Sequence, residues 1–216
     1  MPDYRKDWIL FDFDGTIADT FDLFKDTIIS FKDEYFSGNP DFEKYKSGDV
    51  KGFLKSMKAP TYLLPLFLAH LKKDMAKNIG GCNTFPGIEG VLKDLSDQYA
   101  LGIVSCNSTN AIKEFMEANK ITPYFDFVNG ESSIINKKKA IKNALEENGG
   151  YSNNSRVVYI GDEIRDINAC NHLGVPIGAV TWGYNNENIL KKQKYDFLFH
   201  ETEDIRYLLS RLKEEE

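Results

Sequence analysis

The chain has 216 residues, 42% of them hydrophobic and 28% charged, with a formal net charge of -6 at pH 7. That length suits one ordinary domain plus an insertion, or two small domains, with enough apolar residues for a sizeable core. The acidic balance argues against a nucleic-acid binder, whose footprint is a basic surface, but it leaves small anionic substrates open because a site's local charge can oppose the net charge.

Trp8–Asp12 predicts a short strand, apolar in the manner of one buried on both faces of a parallel sheet. It ends in Asp12-Phe13-Asp14-Gly15-Thr16. Residues i and i+2 share a strand face, so Asp12 and Asp14 are expected to leave the sheet edge on the same side, where they repel unless a cation compensates them. Phe21, Phe24, Ile28, Phe31 and Tyr35 then recur at helical spacing until Gly38-Asn39-Pro40 breaks the pattern. From Asp41 to about Asn78 helix signals continue, with breaks near Gly48 and at Ala59-Pro60. The longest apolar stretch, Tyr62–Leu71, contains Pro65 and His70 and is about half a membrane span, so a packed helix is expected and no membrane partner.

Strand–helix alternation resumes at Phe85-Pro86-Gly87. Helices are predicted at Ile88–Gln98, Thr109–Asn119, Lys138–Glu147, Ile164–Leu173 and Glu187–Lys192, with a closing helix from about Glu203. Strands are predicted at Ala100–Ser105, Phe125–Val128, Arg156–Ile160, Ile177–Thr181 and Asp196–Phe199. Such alternation implies βαβ units and a doubly wound parallel α/β sheet. The helical block interrupting it defines an all-α insertion at 19–81, flanked by core segments 1–18 and 82–216.

Ligands of open parallel sheets bind beyond the carboxyl ends of the strands. Those ends read Asp12-Phe13-Asp14, Ser105-Cys106-Asn107, Asn129-Gly130-Glu131 and Gly161-Asp162-Glu163, with Lys137-Lys138-Lys139 at a helix start soon after the third. Asp162 and Asp166 are four apart, which on a helix start gives one face. Counting back four from Ile141, the first core position of that helix, favours Lys137 as the inward lysine, with Lys138 next. His70, His172 and His200 show no zinc spacing, and Cys106 has no histidine base placed for a catalytic thiol. Cys82, Cys106 and Cys170 form no metal motif and fit a reducing, cytoplasmic compartment. No signal peptide is visible, since residues 1–7 are polar and the apolar run after them is short.

Asp12-Phe13-Asp14-Gly15-Thr16, Ser105 after an apolar strand, the lysine at a helix start and Gly161-Asp162-Glu163-Ile164-Arg165-Asp166 resemble, in that order, the four motifs of haloacid dehalogenase-superfamily phosphatases, in the branch similar to phosphoglycolate phosphatases with a helical cap after the first strand. Val180-Thr181-Trp182-Gly183-Tyr184 also resembles that branch. The resemblance implies that Asp12 is the nucleophile, forming an aspartyl-phosphate, and that Asp14 is the acid and then the base. It implies Mg2+ held by Asp12, the Asp14 carbonyl, Asp162 and waters on Asp166. Ser105 and the amide after it would meet the phosphoryl oxygens, and a lysine, Lys137 first, would neutralise them. Thr16 is expected to orient Asp14, with Asn107, Cys106 and Lys138 near the substrate; Arg165 is left outside the site, and Glu163 is either its surface partner or an aid to the metal aspartates.

The expected substrate is a small phosphorylated metabolite, and the expected state a monomer or homodimer. A phosphomutase uses the same acids and is the main alternative; a pyrophosphatase, a nucleotidase and a non-catalytic binding protein rank below it. A dehalogenase lacks an acid at the position of Asp14. The cap, which has no arginine from Phe21 to Thr84, is expected to set specificity through Ser47–Lys51 and Lys58-Ala59-Pro60, with Lys46, Lys51, Lys55 and Lys58 near its rim.

Overall fold

The computed structural model describes residues 7–130, 137–148 and 156–207. The strand-end residue Glu131, the acidic end 214–216 and the later part of the closing helix lie outside these residues. Six parallel strands form one sheet in the order β3-β2-β1-β4-β5-β6. They are β1 (Trp8–Phe11), β2 (Ala100–Val104), β3 (Phe127–Asn129), β4 (Val157–Gly161), β5 (Ile177–Val180) and β6 (Phe197–Phe199). The doubly wound parallel sheet is therefore present. β1 is central: Trp8 pairs with Ala100 on one side and Val157 on the other, and Phe11 with Ile103 and Ile160.

Side-chain alternation along β1 builds the core. Ile9 and Phe11 join the cluster under helices α5 (Ile88–Ser96) and α6 (Thr109–Ala118). Leu10 faces the opposite cluster, under α7 (Lys137–Glu147) and α8 (Ile164–Leu173). Removing such side chains from water stabilises by roughly 1.5–3 kcal/mol each. Because Asp12 follows Leu10 by two, it opens toward α7 and α8, the helices that carry Lys137 and Asp166.

The four helices between β1 and α5 are α1 (Phe21–Ser30), α2 (Phe42–Lys46), α3 (Val50–Met57) and α4 (Leu64–Asn78). Asp41 and Asp49 cap α2 and α3, accepting from the Lys44 and Gly52 amides. Pro65 falls in the first turn of α4, where a missing N–H costs nothing. The expected breaks separate α2 from α3 at Gly48 and α3 from α4 at Ala59-Pro60. The insertion buries its own cluster, including Phe24, Phe53, Met57, Phe67 and Leu71. Among the described residues, no helix is long and apolar enough to cross a membrane.

Some boundaries differ from expectation. α1 stops at Ser30, whose hydroxyl donates to the Thr27 carbonyl, although Phe31, Tyr35 and Phe36 still pack into the insertion's cluster from the turns that follow. The strand expected at Phe125 begins at Phe127, because Thr122–Tyr124 forms a 3-10 turn around Pro123. The expected closing helix is 3-10 in its described part, Thr202–Tyr207. α9 is confined to Glu187–Leu190.

Candidate active site

Asp12 continues the alternation of β1 toward α7, whereas Asp14, expected on the same side of the sheet edge, lies beyond the strand and turns away from it. The Asp12 amide extends the ladder to the Ile160 carbonyl at 2.8 Å, and its Oδ1 accepts the Phe13 amide at 2.7 Å. Its Oδ2 lies 2.8 Å from Lys137 Nζ, which is also 3.2 Å from Asp166 Oδ1. These are contacts of charge rather than aligned hydrogen bonds. Asp12 and Lys137 are 2% and 3% exposed. Burial pulls the ammonium toward neutrality, but Asp12 and Asp166 outweigh it and hold its pKa above the ordinary lysine value. Lys138 and Lys139, by contrast, are exposed on the outer side of α7.

Asp14 turns the other way, toward Thr20 and Asn107. Thr20 Oγ1 donates to its Oδ1 at 3.0 Å, and Asn107 Nδ2 donates to both oxygens at 3.2 and 3.4 Å. Burial, and then the charge of Asp12, push its carboxyl up to about 6 against the opposing pull of those donors. Thr16 was expected in the role that Thr20 fills. The chain reverses at Gly15 (φ +78°), which carries Thr16 back toward the end of β4, and its hydroxyl donates to Asp162 Oδ1 at 3.0 Å. A Cβ at Gly15 would stand 2.3 Å from Asp162 Oδ2, so both conformation and space require glycine there.

Asp162 precedes α8 rather than sharing a helical face with Asp166. Its Oδ2 accepts the Tyr184 amide at 2.6 Å, so both oxygens are engaged by this chain. Burial and the charges of Glu163, Asp12 and Asp166 raise its pKa. Glu163 and Asp166 form a reciprocal capping box at the start of α8, with Asp166 Oδ2 accepting the Glu163 amide at 3.1 Å. Asp166 is pushed up to about 6, mainly by burial, although Lys137 lowers it. Carboxylate oxygens of Asp12, Glu163 and Asp166 all lie within 4.8 Å of one another. Glu163 thus joins the acids named on sequence, and Asp162 stands near enough for Asp12 and Asp166 to raise its pKa.

Ser105 is buried, and its Oγ accepts the Asn107 amide at 3.0 Å. Arg165, left out on sequence, extends along the site: its guanidinium pairs with Glu163, and Nη1 lies 3.7 Å from Cys106 Sγ. Thr20 was not singled out on sequence, Tyr184 stood in a family-like motif with no role given, Arg165 was left outside the site, and Glu163 was left between a surface partner and an aid to the metal aspartates. The signal for Glu163 and Arg165 was their place inside the fourth motif, and for Tyr184 its place in Val180-Thr181-Trp182-Gly183-Tyr184.

With this geometry in view, the model of the family described as haloacid dehalogenase-like hydrolase matches residues 9–180. The chain belongs to the haloacid dehalogenase-like hydrolases. A phosphoglycolate phosphatase of Synechococcus elongatus is 29% identical, over 94% of this chain and 97% of that protein. The pyrophosphatase PpaX of Oceanobacillus iheyensis is 24% identical, over 91% and 94%. Among solved structures, the haloacid dehalogenase-like family protein SP0104 of Streptococcus pneumoniae aligns with a TM-score of 0.77 at 22% identity, covering 94% of this chain and 98% of that one. That likeness speaks to the fold alone.

The donor set of this hydrolase fits a hard divalent cation. Among the described residues, five carboxylates (Asp12, Asp14, Asp162, Glu163 and Asp166) meet two cations, Lys137 and Arg165, leaving an excess of negative charge in a site largely removed from water. Mg2+ takes oxygen ligands at about 2.1 Å, so donors on opposite sides stand about 4.2 Å apart, compatible with the spread of Asp12, Glu163 and Asp166.

Above the acids, a cavity of about 280 Å3 separates the sheet edge from the helical insertion. Asp14, Cys106, Asn107 and Arg165 line its lower end; Phe24, Phe53, Leu54, Phe67 and Leu71 are among its walls. Of the expected specificity segments, Val50 lines it, Gly48 packs on Ile164, and none of Lys58-Ala59-Pro60 is among its lining residues. Lys46 lies over the Phe21 ring at 4.7 Å, and the lysine lining the cavity is Lys72.

Proposed function

We propose that this hydrolase is a Mg2+-dependent phosphatase acting on a small phosphorylated metabolite through an aspartyl-phosphate on Asp12. The carrying observation is the asymmetry of the first-motif acids. Asp12 is buried and ion-paired to Lys137, whereas Asp14, two residues on, is held near a pKa of about 6 and faces the cavity. A nucleophile needs a defined charged oxygen, and a general acid works best with a pKa near the working pH.

A carboxylate oxygen of Asp12 attacks phosphorus as the bond to the ester oxygen breaks, and Asp14 gives its proton to that leaving oxygen. Asp14, now ionised, takes a proton from water as the water oxygen attacks phosphorus and the bond to Asp12 breaks. Thr20 and Asn107 hold the Asp14 carboxyl in place for both transfers. Lys137 and Ser105 meet the negative phosphoryl oxygens. Asp12, the Asp14 carbonyl, Asp162, Glu163 and Asp166 would hold the metal, which would supply further charge stabilisation at the phosphoryl group. The three free cysteines fit a reducing cytoplasm, and the helical segment 19–81 would serve as the cap.

The test is a panel of phosphate esters and pyrophosphate assayed with and without Mg2+. Phosphate release that requires the metal and disappears in Asp12→Asn is expected. Full activity in that variant would remove Asp12 from the nucleophile role, and release of phosphate only from pyrophosphate would narrow the enzyme to a pyrophosphatase.

A further inference from the structure

We infer that the cavity under the helical insertion receives the apolar body of the ester, so that the substrates are phosphomonoesters of hydrophobic alcohols, alkyl or aryl. This rests on the phosphatase reading above. Asp14 protonates the leaving oxygen, so whatever lies beyond that oxygen occupies the space Asp14 lines. That space is walled by Phe24, Phe53, Leu54, Phe67 and Leu71. A small acid or pyrophosphate would need donors and cations along this wall. Among the described residues, the cations that reach the cavity are Arg165, already paired with Glu163, and Lys72 on α4.

Size and exposure agree with an apolar occupant. An apolar cavity of about 150 Å3 suffices for benzene, so about 280 Å3 takes a ring or a six-carbon chain with room at the phosphate end. Two residues of the lining, Val50 and Leu68, remain 48% and 42% exposed. Their apolar side chains at the mouth extend the contact surface for a guest, as is usual where an apolar pocket carries a few convergent polar groups at one end.

The experiment compares kcat/KM with Mg2+ for hexyl phosphate, phenyl phosphate, methyl phosphate, phosphoglycolate and pyrophosphate. Hexyl and phenyl phosphate are expected to exceed phosphoglycolate and methyl phosphate by at least about tenfold, since single methylene contacts in such pockets discriminate by about 10-fold or more. Leu54→Gln and, at an exposed position that leaves folding intact, Leu68→Gln are expected to lower the hexyl-to-methyl ratio by about tenfold, and Lys72→Met to leave it in place. Preference for phosphoglycolate or pyrophosphate, lost in Lys72→Met, would overturn this inference and leave the phosphatase reading standing. No turnover of any ester would sink both.

Discussion

The sheet edge and the helical insertion bury their side chains by opposite means. At the edge, Asp12, Lys137, Asp162 and Asp166 lose nearly all their water and keep their places because each meets a fixed partner of opposite charge or a backbone amide. In the insertion, rings hold one another: Phe24 and Tyr45 centroids stand 5.0 Å apart, and Tyr45 and Phe53 5.3 Å. Charge in a dry site is intolerant of rearrangement, since losing one partner strands the other. An aromatic cluster tolerates exchanges of similar volume. The edge is therefore suited to chemistry and the insertion to selection among esters.

The largest test of that division is Asp12→Asn, which should reduce phosphate release by at least about 10^4-fold for every ester alike, on the scale seen when other nucleophiles are removed. A loss confined to some esters would break the division. Next comes Lys137→Ala, expected to lower kcat by about 10^2–10^3-fold and to cost up to about 3–5 kcal/mol in urea unfolding, because Asp12 and Asp166 lose their shared cation. Lys138→Ala, on the exposed side of α7, should leave both unchanged. Equal effects in the two would mean that the lysine contacts do not govern the site.

The third test reads the edge through pH. The folded-state pKa of Asp14 is raised from 3.8 to about 6, first by burial and then by Asp12. Its contribution to stability is therefore fully present below about 3.8 and lost as pH rises through about 6. In metal-free protein, wild type should gain stability relative to Asp14→Asn on going from pH 7 to pH 5, by roughly 1 kcal/mol. Thermal melts of both in chelator would show it. A difference that is flat, or that grows toward pH 7, would mean that Asp14 is not held in this way.

The two regions also differ in how far their sequences disclose them. The strands are short runs of Ile, Leu and Val whose ends carry acids and small polar residues, so both the sheet and the three strand-end motifs follow from local pattern. Lys137 follows from helical spacing, because Ile141 fixes which side of α7 is inward. Thr20 and Tyr184 could not be found that way. Tyr184 meets Thr20 across 164 residues, and Thr16 meets Asp162 across 146, so each pairing depends on how distant turns approach. The reversal at Gly15 decides that Thr20, not Thr16, reaches Asp14, and no periodicity encodes it. The orientation of Asp162 depends likewise on Thr16 and Tyr184 engaging its two oxygens.

Tyr45 links the two regions, and it sets the smallest expected effect. Tyr45 of α2 sits among the insertion's rings and lines the cavity, yet its hydroxyl donates to Glu163 Oε1 at 3.2 Å. Its main-chain carbonyl also accepts Asn185 Nδ2 at 3.3 Å. Removing one donor from a charged acceptor costs about 1.5–3 kcal/mol at most, and Arg165 still holds Glu163. Tyr45→Phe keeps the ring and its packing, so it should raise the Mg2+ concentration for half-maximal activity by about 3–10-fold, while kcat at saturating Mg2+ stays within about threefold of wild type. If kcat instead falls as far as in Lys137→Ala, the insertion takes part in the chemical step itself, and the boundary between chemistry and selection has to be drawn inside α2 rather than above the sheet edge.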